Sequence, residues 1–287
     1  MGAIFRHELR NYFHSLTAYV FGAFLLAVVG LGSVLYNLQA AVSNFEFVLS
    51  FASIIFVVIV PILTMRTLAE ERRQRTDQLL YSLPITTTQV VLGKYFALLV
   101  VYLIPLAVIS LYPLLFSQFG DVYLPTSYGS LFAFFMMGAA LLAVGMFLSS
   151  LTDNQGFAAG IGIAAILLNY YSVSLAEYTS STAMGSLIAL YVIALLLGVV
   201  IHNLTRNENL AYGVAFVLIA ALSVAYFVNS SAFEGLLPDI MTKLSLFRQF
   251  NSFVNGAFDL TAIVYYVSVM GFFLFLSVQS MEKRRYN

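Results

Sequence analysis

One short run of the sequence concentrates charged side chains in a chain that is otherwise strongly apolar. Only 9% of the 287 residues are charged. Seven charged residues nevertheless lie between positions 66 and 77, namely Arg66, Glu70, Glu71, Arg72, Arg73, Arg75 and Asp77. Side chains of both signs at this density could bind a partner protein through complementary charges, or could form the solvated face of a connecting helix.

Residues that support catalysis or metal binding are scattered along the chain. His7, His14 and His202 belong to no H-E-x-x-H pattern, and the sequence contains no cysteine. Gly93-Lys94 lacks the preceding glycine and the following serine or threonine of a phosphate-binding loop. The sequence therefore predicts no catalytic residue, no cofactor site and no metal site in this chain.

The composition is that of a membrane protein. Hydrophobic residues make up 61% of the chain and the mean hydropathy is +0.92, far above soluble domains. A membrane-spanning helix needs about 20 apolar residues. The sequence thus predicts an all-α, polytopic membrane helix bundle forming one permease domain, 1–287. The eight predicted spans are 17–38, 48–65, 90–116, 128–150, 156–176, 183–201, 210–228 and 261–280.

The distribution of basic residues predicts the orientation of the chain. With both termini inside the cell, nearly all lysines and arginines fall on the cytoplasmic side, as the positive-inside rule requires. Six spans remain the alternative, because removing the hairpin 183–228 leaves the orientation of every other segment unchanged. Each arm of this extra hairpin has about 19 residues, which nearly matches the hydrocarbon core and favours eight spans.

Two amphipathic segments are predicted at the membrane surfaces. Residues 1–16 place apolar and basic side chains on opposite helical faces and predict an interfacial helix. An upstream extension of the first span is the alternative. On the other side, 230–260 predicts amphipathic helices before the last span, with an ordinary loop as the alternative. Its predicted apolar helical face consists of Leu237, Ile240, Met241, Leu244 and Phe247.

The spans contain few polar groups. Lys94 is predicted to extend to the inner interface, and Glu46 to lie in or beside an outer loop, so no ionisable group is expected at mid-membrane. Small residues permit close helix approach, and Gly156, Gly160 and Gly162 form a weak packing motif. Contact within the chain or between two chains would both fit this motif.

The charged run belongs to a longer segment, 66–89, between the second and third predicted spans. Residues 68–83 contain good helix formers and end in an apolar cluster of Leu79, Leu80 and Leu83. Pro84 is predicted to end this helix, and Thr86 with Gln89 predicts a capping box for the next one. The segment thus consists of a charged helix, an interruption at the proline and the start of the next span. Such an arrangement could transmit force from a cytoplasmic partner to that span.

At these residues the chain resembles the permeases of type-2 ABC exporters, especially the gliding-motility and nitrous-oxide-accessory branch. The similar features are the Glu/Arg-rich run, the leucine pair, the proline and Gly93-Lys94. The segments "FRHELRNYFHSLTAYV" and "LSLFRQFNSFVNGAFDLTAIVYY" add further similarity. Relatives often carry glycine where this chain has Arg75, and commonly have six spans. The coupling residues that the resemblance implies are Glu70, Glu71, Arg72, Arg73, Thr76, Leu79, Leu80, Leu83 and Pro84.

The resemblance implies the membrane subunit of an ATP-driven exporter in a cell membrane, of bacterial type. Its partners would be an ABC ATPase subunit, a second permease copy or paralogue, and the lipid bilayer, with no nucleic acid. ATP and Mg²⁺ would bind to the ATPase subunit, so this chain would not itself be an enzyme. The alternative is a non-transporting membrane scaffold that anchors an ATPase, envelope or motility complex.

Overall fold

The computed structural model describes residues 1–74, 85–205 and 208–286, and these residues form helices joined by short connections. The helices are α1 (Gly2–His14), α2 (Leu16–Ser33), α3 (Phe45–Ser53), α4 (Phe56–Thr64), α5 (Ala69–Gln74), α6 (Thr87–Ile109), α7 (Leu111–Phe116), α8 (Leu124–Ser149), α9 (Gln155–Tyr178), α10 (Ala183–Thr205), α11 (Glu208–Val228), α12 (Leu236–Lys243), α13 (Leu246–Val254) and α14 (Leu260–Tyr286). A π-helical turn, Val34–Gln39, follows α2, and a 3₁₀ turn, Ser230–Phe233, precedes α12.

The chain divides into two compact units. The larger unit, hereafter the main unit, comprises Met1–Tyr170 and Gln249–Asn287, and the smaller unit is Tyr171–Arg248. In the smaller unit α10 packs along α11, and the hydroxyls of Tyr191 and Ser223 form a 2.6 Å hydrogen bond between these helices. The predicted hairpin 183–228 is therefore a pair of packed helices.

Five helices of the described residues are long and apolar enough to cross a membrane. The number is six if a bent pair of helices is counted as one span. The five are Leu16–Gln39, Thr87–Phe116, Leu124–Ser149, Gln155–Tyr178 and Leu260–Lys283. The bent pair is Phe45–Ser53 with Phe56–Gln74, at 58°. Between 183 and 228 the apolar helical stretches are shorter, Ala183–Val199 and Tyr212–Val228. The chain is thus an all-helical, multi-pass membrane protein over its described residues.

The core of the main unit centres on Tyr102 of α6. Its ring packs against Phe21 and Phe56 in edge-on geometry and stacks on Phe135 at 5.8 Å. Its hydroxyl donates a 2.8 Å hydrogen bond to the main-chain carbonyl of Phe134 on α8. This bond satisfies the one polar atom of a fully buried side chain, so Tyr102 fixes α6 against α8.

The two tightest helix contacts at glycine occur outside the predicted motif. Gly138 and Gly145 of α8 lie against Tyr102 and Thr64, where an added methyl group would overlap the neighbouring side chain. Gly162 does pack against Pro61, whereas Gly160 has no neighbour within 4 Å of an added methyl group. The Gly156 N–H is hydrogen-bonded to the Asn154 side chain at the start of α9. The sequence motif thus missed the two tightest contacts.

Gly138→Ala is expected to lower the melting midpoint of the purified protein, because the added methyl group would lie about 2.5 Å from the Tyr102 hydroxyl. Gly160→Ala is the matched control, since its added methyl group meets open space. Alanine also stabilises a helix by about 1 kcal/mol relative to glycine. Size-exclusion chromatography after heating measures both midpoints. Equal midpoints for the two variants would contradict the tight packing at Gly138.

The predicted amphipathic segment before the last span is divided into two helices. α12 ends at Lys243 and α13 begins at Leu246, so a single continuous face is wrong. Leu244 lies at the end of α12 with 56% of its surface exposed, whereas Phe247 is buried on α13. Leu237, Ile240 and Met241 are half-buried along α12. Their role as a functional surface stays a prediction.

Candidate functional site

Three charged side chains meet inside the end of the main unit that carries the N-terminus, hereafter the charged end. The Lys94 ammonium group lies 2.7 Å from Glu8 Oε1 on α1 and 2.7 Å from Glu71 Oε1 on α5. Lys94 itself is 2% exposed. The prediction that Lys94 extends to the membrane interface was wrong, because two carboxylates of the same chain neutralise it inside the protein. The three residues are called the Lys94 triad below.

Each residue of the Lys94 triad comes from a different helix, so the triad joins α1, α5 and α6. α1 reaches α6 because Gly93 has no side chain. A methyl group added at Gly93 would lie only 3.1 Å from Cγ2 of Ile4, which occupies that space. Ile4, Glu8 and Tyr12 follow one another at four-residue intervals and therefore share one face of α1. That face packs on α6 and includes a carboxylate.

The connection from α4 to α5 is held by one side chain of α8. The Ser149 hydroxyl accepts hydrogen bonds from the Leu68 and Ala69 N–H groups, at 3.3 and 3.2 Å, and donates to the Met65 carbonyl at 3.2 Å. These backbone groups lie where the helix is interrupted and lack their usual intrahelical partners. Ser149 therefore fixes the turn from which α5 extends.

The end of the last helix also contacts α5 and the start of α6. Arg72 Nη2 donates to Ser280 Oγ at 3.3 Å, and Ser280 Oγ donates to the Ser150 carbonyl at 3.1 Å. Thr87 Oγ1 donates to Glu282 Oε1 at 2.7 Å. These bonds connect α14 to α5, α6 and α8. The charged end is thus a polar layer in which a movement of α5 reaches four other helices.

A cleft of about 690 Å³ lies between α1, α5 and the start of α6. Glu8, Glu71 and Lys94 line it together with Glu70 and Tyr12. Burial raises the pKa of the Tyr12 phenol to about 12, so this side chain remains neutral while it interacts with Thr67. The cleft therefore has a charged wall, formed by the Lys94 triad, beside a neutral aromatic one.

The structure separates the predicted coupling residues by orientation. Arg73 is exposed and Glu70 is half-buried beside Gln74, so both remain accessible to a partner. Arg72 is only 8% exposed, and Glu71 is engaged by Lys94. The side chains of Arg72 and Glu71 are therefore engaged within the chain, and their coupling role stays a prediction. The remaining members lie outside the described residues, namely Thr76, Leu79, Leu80, Leu83 and Pro84.

The start of α6 confirms the helix cap that the sequence predicts. The Thr86 hydroxyl accepts a 3.3 Å hydrogen bond from the Gln89 N–H, which is the first half of the predicted capping box. Glu8, Ser149, Ser280 and Glu282 were not predicted as site residues. Glu8 could have been found from its four-residue spacing to Ile4 and Tyr12, whereas the others carry no local signal.

Comparison with known proteins identifies the family. Residues 31–176, just over half of the chain, match the family described as ABC-2 family transporter protein. A search of curated proteins and a search of solved structures found no match. The matched region runs from the end of α2 to the end of α9 and includes α5 and Lys94. Members of this family are the permease subunits of ABC transporters and are generally not catalytic themselves. The chain therefore belongs to the ABC-2 transporter family.

Proposed function

We propose that this chain is the permease subunit of an ATP-driven exporter and that the charged end receives the movement of a separate ATPase subunit. The supporting observation is the Lys94 triad, which joins α5 to α1 and α6 through two short, buried ion pairs. Displacing α5 alone would separate a buried charge from its partner, which costs several kcal/mol. The three helices therefore move together, and α6 carries the movement into the membrane.

The ATPase subunit is proposed to dock on the segment that follows α5. Apolar side chains at the centre of an interface contribute most of the binding energy, whereas charges at its rim tune specificity and association rate. Leu79, Leu80 and Leu83 supply the apolar centre in this proposal. Arg73 and Glu70 supply the rim, because they are the accessible charged residues of α5. ATP and Mg²⁺ would bind to the ATPase subunit.

The combined substitution Leu79→Ala and Leu80→Ala is expected to reduce ATPase binding at least tenfold, because it removes the proposed apolar anchors. Arg73→Ala, at the rim, should reduce binding less. The measurement is copurification of a coexpressed ABC ATPase subunit that binds the wild-type chain, with the membrane level of each variant as the control. Unchanged copurification in the double variant would contradict docking at this segment. Binding without substrate-stimulated ATP hydrolysis would favour the scaffold alternative.

The proposed topology has eight spans with both termini in the cytoplasm. It rests on the basic residues at the charged end and on the two packed helices α10 and α11. Single cysteines at Asn209 and Ser231, in this cysteine-free chain, should then react with an impermeant thiol reagent from the cytoplasm and from outside, respectively. Both side chains are exposed. Reaction of both cysteines from outside would support six spans instead.

The complete transporter would contain two ATPase subunits and two permeases, identical or paralogous, in a bacterial cell membrane. The gliding-motility and nitrous-oxide-accessory branch remains the proposed subgroup, on the residues that carry the resemblance. Gly160 has open space around it and could accommodate a second permease. Crosslinking through a cysteine at position 160 would test that contact, and absence of a dimer product would argue against it.

A further inference from the structure

A row of basic side chains runs along the surface of α1, the N-terminal helix. Arg6, Arg10 and His14 follow one another at four-residue intervals and therefore share one face, and all three are exposed. The acidic residue of α1 is Glu8, whose carboxylate is engaged by Lys94 on another face. Within residues 1–74, 85–205 and 208–286, neither arginine forms an ion pair. Arg6, Arg10 and His14 are called the basic stripe below.

The position of the basic stripe is fixed because the opposite face of α1 is attached to α6. Ile4 lies against Gly93, and the Glu8 carboxylate lies 2.7 Å from the Lys94 ammonium group. At about 3.6 residues per turn, Arg10 is roughly 160° around the helix from Glu8. The basic stripe therefore points away from α6, and it cannot turn toward the protein without breaking the Lys94 triad. It is a rigidly held surface and not a loose basic tail.

An apolar row lies beside the basic stripe on the same helix. Phe5, Leu9 and Phe13 each precede a member of the basic stripe by one residue, and all three are half-buried. The Phe13 ring contacts the Tyr19 ring edge-on, with 6.1 Å between the centroids. Tyr19 belongs to the first helix that is long and apolar enough to span a membrane, and it is 58% exposed. The apolar row of α1 is thus continuous with a surface of that span that lipid acyl chains would cover.

The two neighbouring rows match the two layers of a membrane surface. A helix at the interface buries its apolar side among acyl chains and places its arginines at the level of the headgroups. α1 ends at His14, and Ser15 has extended backbone angles, φ −95° and ψ 157°, so α1 is separate from the span that follows. A guanidinium group binds phosphate oxygens through two parallel hydrogen bonds. The basic stripe therefore suits phosphate-bearing headgroups, above all those that carry no cation of their own.

We propose that the basic stripe binds the headgroups of anionic phospholipids in the leaflet next to the charged end. Each arginine near an anionic surface contributes about 1 kcal/mol, which corresponds to about fivefold in a binding constant. Because the same helix supplies Glu8, bound lipid would also hold one partner of the Lys94 triad in place. This inference goes beyond the proposed function, and it depends neither on ATPase binding nor on the direction of transport.

The test uses tryptophan fluorescence, because the chain contains no tryptophan. Phe5→Trp places one reporter in the apolar row beside Arg6, and the purified full-length protein is reconstituted in vesicles that mix phosphatidylglycerol with phosphatidylcholine. Brominated acyl chains quench a neighbouring tryptophan, so placing the bromine first on one lipid and then on the other measures which headgroup lies beside the reporter. At equal fractions of brominated lipid, brominated phosphatidylglycerol should quench more strongly, with a relative binding constant of about fivefold or more.

Three variants of the reporter protein assign the preference to the basic stripe. Arg6→Gln with Arg10→Gln should remove the preference, whereas Arg6→Lys with Arg10→Lys should keep most of it, because the charges remain. Arg73→Gln removes an exposed charge of α5 at the same end and should leave the preference unchanged. The melting midpoint of each variant is the folding control. Equal quenching by the two lipids at position 5, or a preference that survives in the glutamine variant, would overturn the proposal.

A second reporter separates binding at the basic stripe from general enrichment of anionic lipid around the protein. Phe24 is 55% exposed on the first span, about 15 Å along the helix from the end of α1. Phe24→Trp should be quenched equally by the two brominated lipids, with and without the two arginines. The preference at position 5 should also decrease as salt is added, since ions screen exposed charges. A preference of the same size at both positions would overturn the proposal.

Discussion

Lys94→Met is expected to lower the free energy of unfolding by about 3–5 kcal/mol, the range found when one partner of a buried ion pair is removed. The reason lies in what remains, since the Glu8 and Glu71 carboxyl groups would lose the ammonium group that compensates them. Two like charges in a desolvated site repel each other. Melting of the detergent-purified protein and the amount of protein in the membrane would measure the loss.

Lys243→Met is the matched control for this prediction. Lys243 also lies 2.7 Å from a carboxylate, that of Asp239, but both side chains are mostly exposed. A surface pair of this kind contributes about 0–1 kcal/mol. A triple variant, Glu8→Gln, Glu71→Gln and Lys94→Met, should recover much of the stability because no charge remains unpaired. Equal melting of Lys94→Met and Lys243→Met would contradict the assigned role of the triad.

Arg72→Ala should destabilise the charged end by about 1.5–3 kcal/mol, the value of a hydrogen bond that involves a charged group. The substitution removes the bond to Ser280 and leaves space between α5 and α14. It should also weaken substrate-stimulated ATP hydrolysis in the reconstituted transporter, because α14 would no longer follow α5. Arg73→Ala is the matched control for the melting measurement, because the Arg73 side chain is exposed.

A double-mutant cycle separates the Arg72 hydrogen bond from general loss of packing. Ser280→Ala removes the acceptor and should cost less once Arg72 is already alanine. The measurement is the melting midpoint of both single variants and of the double variant. Strictly additive midpoints would show that Arg72 acts through packing and not through Ser280.

The helices and one helix cap were predictable because their signals are local. Apolar runs longer than about 18 residues identify spans, and Thr86 with Gln89 identifies the start of α6. The count of spans was less predictable. The interruption at Ile54–Ile55 decides between five and six spans, and the shorter apolar stretches Ala183–Val199 and Tyr212–Val228 separate six from the predicted eight. The second span also begins earlier than predicted, because α3 starts at Phe45 and includes Glu46.

The polar layer at the charged end was not predictable because its partners are distant in sequence. Glu8 and Lys94 are 86 positions apart, and Arg72 and Ser280 are 208 positions apart. A charge run indicates which residues could form ion pairs, but only the packing of α1 and α14 decides which ones do. The same holds for Gly138, whose role depends on the position of the Tyr102 ring.

The ion pair between Glu8 and Lys94 depends on how closely Ile4 approaches Gly93. The Glu8 carboxylate reaches Lys94 at 2.7 Å only while α1 lies directly on the glycine. Each additional ångström of separation would weaken the pair and would admit water, which screens it further. An uncharged residue thus sets the strength of an ion pair. A survey of substitutions that considered only charged positions would overlook the residue that determines how firmly the N-terminal helix is attached.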